Sequence, residues 1–274
     1  MLGKPVLDSS RILTMKQYRL RQTTTIQQAS RFLSASFLAI ISAVGLAQQS
    51  TTDPILTEQV KNVLEKNPEI VYDALISYQK QQEAKKIQAV EKYMIDNAKS
   101  LFFDKDDGVL GNPKAKTTLL IINDYGCGYC KKSRMIIDEI VKENKDLRIV
   151  IKQLPVLGPG SIYAAKAATL AQKKKKFTVF DSKLSSMERP ITEEKVKKAM
   201  QQSGLDPKEI DAQKQSLEAI INNNYVHAQK LMIRGTPALI IFSPPTSQAE
   251  FIDNVIDKKA IEAKIKEHQD QMPS

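Results

Sequence analysis

The sequence predicts an α/β domain that carries an inserted helical subdomain and is preceded by a helical extension. Three observations point there. Thr117-Thr118-Leu119-Leu120-Ile121-Ile122 is a β-branched and aliphatic run suited to a buried strand. Directly after it, Met135, Ile136, Ile140 and Val141 recur at helical spacing among charged residues. Two long segments, 54–94 and 161–232, then carry helical patterning that a compact sheet domain would not need.

In chain order, residues 1–47 read as a signal peptide. Lys4, Arg11, Lys16, Arg19, Arg21 and Arg31 face a single acid, Asp8, and an apolar stretch from Phe32 to Leu46 follows. Gly45-Leu46-Ala47 offers small residues for cleavage before Gln48, and a start at Met15 would leave an ordinary short basic region. The apolar stretch is short against the roughly 20 residues that a membrane span needs, so an uncleaved anchor is the secondary reading.

Residues 48–53 form a polar linker, and Pro54 opens a helix with Leu56, Val60, Val63 and Leu64 on one face. Asn67-Pro68-Glu69 reads as a restart with Asn67 as N-cap. The second helix carries Ile70, Val71, Leu75 and Ile76, crosses a polar stretch, and continues through Ile87, Val90 and Met94. The apolar faces of 54–100 need a partner, either the rest of the chain or a second copy through 54–95. The pattern is not a strict heptad, so it does not predict a coiled coil.

The main domain is expected over 101–268. Asp104 to Asn112 reads as turn-forming, followed by the buried strand and the helix described above. Leu147 to Leu154 is the next strand, ended by Pro155, and Gly158-Pro159-Gly160 breaks the chain. The helical insertion spans about 161–232, interrupted at Glu188-Arg189-Pro190 and Gly204-Leu205-Asp206-Pro207. A strand over Ala238–Phe242, an edge strand over Ala249–Ile252 and a closing helix over Lys258–His268 complete the domain, leaving 269–274 as a frayed tail.

The chain's two cysteines stand together in Cys127-Gly128-Tyr129-Cys130, where the buried strand gives way to the helix. Cys127 would occupy the helix N-terminus, where unpaired N–H groups and the positive end of the macrodipole favour an anion such as a thiolate. Lys131, Lys132 and Arg134 add positive charge. The two-residue spacer lets Cys130 reach Cys127 within one turn, so a mixed disulfide at Cys127 can be resolved by Cys130.

Half of a structural zinc site has the same spacing, but no further cysteine exists and His227 and His268 lack ligand-like spacing. A structural disulfide between residues three apart would close almost no loop. The whole chain is +10 at pH 7, of which residues 1–47 supply +5, so the remainder is only modestly basic and carries no nucleic-acid signature. Lys173 to Lys176 reads as a solvated helix end, and His227 as a packed or surface histidine.

Leu110-Gly111-Asn112-Pro113, Asp124 to Lys131 around the cysteines, Leu154-Pro155-Val156-Leu157-Gly158-Pro159 and Arg234-Gly235-Thr236-Pro237 occur in an order and at a spacing that resemble the DsbA-like protein-disulfide oxidoreductases of the thioredoxin superfamily. The resemblance spans about 100–268. It implies a thioredoxin fold, catalysis by Cys127 and Cys130, and a substrate-binding edge at Thr236 with a cis Pro237. Gly128 and Tyr129 would tune the pair.

It further implies client proteins with cysteines and a redox partner that resets the pair, with no cofactor required; the leader places this action in the periplasm, and the missing further ligands leave no metal site. Some relatives use an N-terminal helical region to form oligomers and favour isomerisation. The residues alone leave open a rival of another class, a non-catalytic envelope binding protein or holdase with a structural or metal-binding cysteine pair.

The sequence departs from the family at Ile121, where many relatives carry a buried carboxylate. Ile122 and Asn123 replace an aromatic pair, and Ser243-Pro244-Pro245-Thr246-Ser247 replaces a tighter turn. Asp124 matches an acidic position common in the family.

Overall fold

The computed structural model describes residues 53–271, so the expected signal peptide, most of the linker and the last three residues of the tail lie outside it. The chain divides into two compact units with the boundary after Ile76.

In the first unit, α1 (Pro54–Lys66) starts at Asp53, whose Oδ1 accepts from the Ile55 N–H at 2.9 Å, a side-chain cap. Asn67 ends it by donating its side-chain amide to Val63 O. No side chain of α1 is buried, and Ile55, Leu56, Val60, Val63, Ile70, Val71 and Leu75 are exposed. Helix α2 (Glu69–Asp96) restarts after Pro68 and runs on into the second unit.

The second unit is built on a five-stranded sheet of order β1-β3-β2-β4-β5. These strands are β1 (Gly108–Gly111), β2 (Thr117–Asn123), β3 (Leu147–Gln153), β4 (Ala238–Ser243) and β5 (Gln248–Ile252). β2 pairs parallel with β3, and the other pairings are antiparallel. Both faces of the sheet are covered, which is why its central strands read as continuous apolar runs rather than alternating ones.

On one face Leu119, Ile121, Ile149, Ile151, Leu239 and Ile241 pack with Ile137 and Ile140 of α4 (Gly128–Glu143) and Ile261 and Ile265 of α10 (Lys258–Asp270). On the other, Leu120, Ile122, Val150, Ile240 and Phe242 meet Val90 and Met94 of α2, Leu101 and Phe102 of α3 (Ala98–Phe102), and Ala228. Phe102 stacks on Phe242 with ring centroids 4.3 Å apart.

The insertion comprises α5 (Pro159–Lys173), α6 (Phe177–Ser186), α7 (Glu193–Gln202), α8 (Lys208–Ala212) and α9 (Lys214–Lys230). Ala164, Ala165, Ala167, Ala168 and Ala171 line the buried side of α5 and let its neighbours approach closely.

Three details differ from the sequence expectation. Asp104 to Asn112 contains the edge strand β1, paired with β3 from Gly108 opposite Ile151 to Gly111 opposite Arg148. Its glycines suggest a turn, but Gly108 is demanded by packing, since a Cβ there would sit 2.0 Å from the Phe177 ring. Arg148 and Lys152, charged positions inside β3, are both buried: Arg148 donates to Phe102 O, and Lys152 pairs with Asp107 at 2.6 Å. The closing helix also runs on to Asp270, because Gln269 reaches Asn144 Nδ2 and Asp146 O and so ties down the start of the expected tail.

Candidate active site

β2 delivers the chain to a tight turn at its C-terminal end. Asp124 is buried there, and its carboxylate is fully engaged by backbone. Oδ1 accepts from Gly126 N at 2.7 Å, while Oδ2 accepts from Val156 N at 2.8 Å and Leu157 N at 3.0 Å. It thus binds the cysteine turn to the loop after β3, which is the structural use of this acid. Gly126 lets the turn pack closely, because a Cβ would lie 2.4 Å from Ser161 Oγ at the start of α5.

Cys127 N donates to Asp124 O, closing the turn, and Cys127 becomes the N-cap of α4. Its Sγ accepts from the Cys130 N–H at 3.2 Å, so a sulfur takes the place of the usual capping oxygen and meets an otherwise unpaired donor at the helix start. The thiol also donates to Thr236 O at 3.2 Å. Both cysteines are free and largely buried.

Burial, with its contact to Cys127 adding to the effect, pushes the Cys130 thiol up to about 12, so it stays protonated across ordinary pH. The two sulfurs are therefore chemically unequal. Cys127 meets the Cys130 N–H at the helix end, and Cys130 is shielded and protonated.

Cys127, Cys130 and Thr236 come together from elements more than a hundred residues apart, and the Thr236–Pro237 peptide bond is cis. Gly128 and Tyr129 form the exposed tip of α4, with Tyr129 61% exposed and Lys132 Nζ 5.7 Å from its ring centroid. Ile121, in the place of the family's buried carboxylate, is buried in β2 opposite Ile151 and Leu239.

The expected histidines lie elsewhere. His227 is buried against Tyr93 Oη and Asn223, and His268 between Ser243 Oγ and Glu250. Among the described residues no group of three or more His, Cys, Asp or Glu side chains is placed to hold a metal ion.

Two residues that carry no local signal in the sequence complete the surroundings. Asp181 on α6 accepts from Tyr125 Oη at 2.8 Å and pairs with Arg134 at 2.6 Å, joining the residues on either side of the cysteines to the insertion. Arg189, between α6 and α7, donates Nε to Gly126 O at 3.1 Å and a terminal nitrogen to Cys127 O. In the sequence Arg189 reads only as part of a proline turn. A groove of about 690 Å³ runs between α4 and α6 and reaches Cys130, with Arg134, Met135, Ser182 and Met187 among its lining.

A family model described as thioredoxin matches residues 104–266, which is more than half of the chain. The chain belongs to the thioredoxin family. The matched span holds the sheet, the cysteine turn and the inserted helices, and it agrees with the DsbA-like resemblance of the four sequence blocks.

Solved structures extend the comparison. A periplasmic thioredoxin-like protein from Salmonella enterica serovar Typhimurium is 29% identical, covering 65% of this chain and 97% of its own, with a TM-score of 0.54. A thioredoxin-like oxidoreductase from Silicibacter pomeroyi DSS-3 is 26% identical over 63% of this chain and 97% of its own, with a TM-score of 0.57. Proteus mirabilis ScsC in a transitional conformation, 23% identical, shares the fold over 82% of this chain and all of its own, with a TM-score of 0.59. No curated protein matches the sequence. Among the described residues no helix is long and apolar enough to cross a membrane.

Proposed function

We propose that this thioredoxin-family chain is an exported thiol-disulfide oxidoreductase that forms or isomerises disulfide bonds in client proteins of the periplasm. The observation that carries the proposal is the Cys127 sulfur held between the Cys130 N–H and the Thr236 carbonyl at the mouth of α4.

In the oxidising direction a client thiolate attacks Cys127 Sγ of the oxidised pair. The Cys127–Cys130 bond breaks, Cys130 leaves with the electron pair and takes a proton, and a mixed disulfide remains. A second client thiolate then attacks the client sulfur of that bond and releases Cys127. The client loses two electrons and the pair gains them, so a redox partner protein must reoxidise it. In isomerisation the Cys127 thiolate attacks a client disulfide, and Cys130 resolves the mixed species if the client does not.

The protonated, buried Cys130 suits a resolving thiol that stays silent until a mixed disulfide forms beside it. Thr236 presents backbone next to the reacting sulfur, where a client strand can pair. Gly128 and Tyr129 set the environment of the helix tip. No cofactor is needed.

The basic and apolar leader supports export. The exposed apolar side chains of α1 and the start of α2 support a homo-oligomer through 54–95, because single helices rarely leave such faces in water. Removing 54–76 tests this without touching Val90 and Met94, which belong to the core of the second unit. Sedimentation of both chains should show loss of assembly in the shorter one.

The activity is tested by equilibrating the protein in glutathione buffers and trapping thiols by alkylation. A potential near −120 mV would mark an oxidase and one near −180 mV an isomerase, whereas about −270 mV would mark a reductase. Exchange retained by Cys127→Ser would overturn the proposal.

A further inference from the structure

The segment between α6 and α7 is held by three basic side chains. Lys131 Nζ, from the first turn of α4, donates to Met187 O at 3.0 Å. Lys195 Nζ, from α7, donates to Glu188 O at 2.7 Å and to Pro190 O at 2.9 Å. Between these ties Arg189 points the other way, onto the carbonyls of Gly126 and Cys127. Its guanidinium lies against the start of α4 closely enough that a Cβ added at Gly128 would be 3.8 Å from one of its nitrogens. Just beyond, Gly160 admits the same segment, since a Cβ there would meet Ile191 O at 2.0 Å. The loop is thus braced from both sides, and its one cation is applied to the backbone of the reactive cysteine.

We propose that Arg189 is a positioning residue that raises the reduction potential of the cysteine pair by clasping the Gly126 and Cys127 carbonyls. The proposal rests on the thiol-disulfide reading above. The carbonyl oxygens of Gly126 and Cys127, in the turn that carries the sulfur, present partial negative charge, which disfavours a thiolate. A guanidinium bound to both offsets that field and adds a unit positive charge to the positive end of α4. A charge that favours the thiolate favours the reduced pair, and a more stable reduced pair is a stronger oxidant. An ammonium could supply the charge but not two hydrogen bonds in a fixed fork.

The equilibrium to measure is the Cys127–Cys130 disulfide plus two glutathione thiols giving the dithiol plus glutathione disulfide, on the full chain and its Arg189→Gln and Arg189→Lys variants. Arg189→Gln should lower the equilibrium constant about tenfold, equivalent to about 30 mV toward the reducing side. Arg189→Lys should recover part of the shift.

A residue that only stabilises the loop would lower the melting temperature and leave this constant alone. Both variants within twofold of wild type would overturn the assignment while leaving the thiol-disulfide reading intact. Should either variant fail to fold, the other carries the comparison. A wild-type pair that does not exchange at all would overturn the thiol-disulfide reading and the role of Arg189 with it.

Discussion

Replacing Lys152 by Met strands a buried carboxylate. Lys152 Nζ lies 2.6 Å from Asp107 Oδ2, and the side chains are only 1% and 3% exposed. Burial pushes the Asp107 carboxyl up to about 7, against the opposing pull of Lys152. Without the ammonium it rises further, so the folded protein keeps Asp107 protonated where the unfolded chain, with an ordinary aspartate value of about 3.9, has released the proton.

The native state then binds more protons than the unfolded state, and stability falls as pH rises. In the wild type this group's contribution is fully present below pH 4 and is lost as pH climbs through about 7. In Lys152→Met the loss continues above pH 7, by up to about 1.4 kcal/mol per pH unit. Breaking such a pair costs about 3–5 kcal/mol.

Urea unfolding of wild type and variant at pH 5.5 and 8.5, with m unchanged, reads the difference. The deficit should be clearly larger at pH 8.5. A second replacement, Asp107→Leu, should recover most of it. Equal deficits at the two pH values would refute the reasoning.

Three further perturbations probe the cysteine turn and the far face of the sheet. Asp124→Ala frees three backbone N–H groups at once and should cost about 3 kcal/mol, lowering the melting temperature by roughly 6–12 °C; Asp124→Asn should lose less, and an unchanged melting curve for the alanine variant would contradict the bracing role. Gly126→Ala drives a methyl to 2.4 Å from Ser161 Oγ and should cost about 2 kcal/mol, which Ser161→Ala in the same chain should largely restore. His227 is lowered chiefly by burial, so its share of stability is present above about pH 6.5 and is lost as pH falls through its depressed value. Its replacement by Gln should flatten the acid side of the stability curve, and an unaltered acid limb in urea titrations would count against it.

What the sequence made legible was contiguous. The run 117–122 reads as a buried strand because its side chains face apolar neighbours on both sides, and the cysteine helix announces itself by its spacing. Cys127, Cys130 and Thr236-Pro237 are nameable because family blocks carry them, and the structure brings Cys127 to the backbone of Thr236 and to the N–H of Cys130.

Partners set by folding left no such trace. Nothing near Arg189 says that its guanidinium reaches 63 residues back to Gly126 O, and nothing near Asp181 says that it collects both Tyr125 and Arg134. Lys152 reads as a polar interruption of β3 until Asp107, 45 residues earlier, is found beside it. β1 is hidden in the sequence because Gly108 and Gly111 suggest a turn, when the first is selected by the Phe177 ring.

The contacts of Asp181, Arg189 and Thr236 have a consequence for how the chain is made. During synthesis Cys127 and Cys130 leave the ribosome well before any of these three residues exists outside it. Until then the two thiols lack the carbonyl of Thr236, the clasp of Arg189 and the carboxylate that joins Tyr125 to Arg134. Their folded setting is complete only once Thr236, 109 residues after Cys127, has been made.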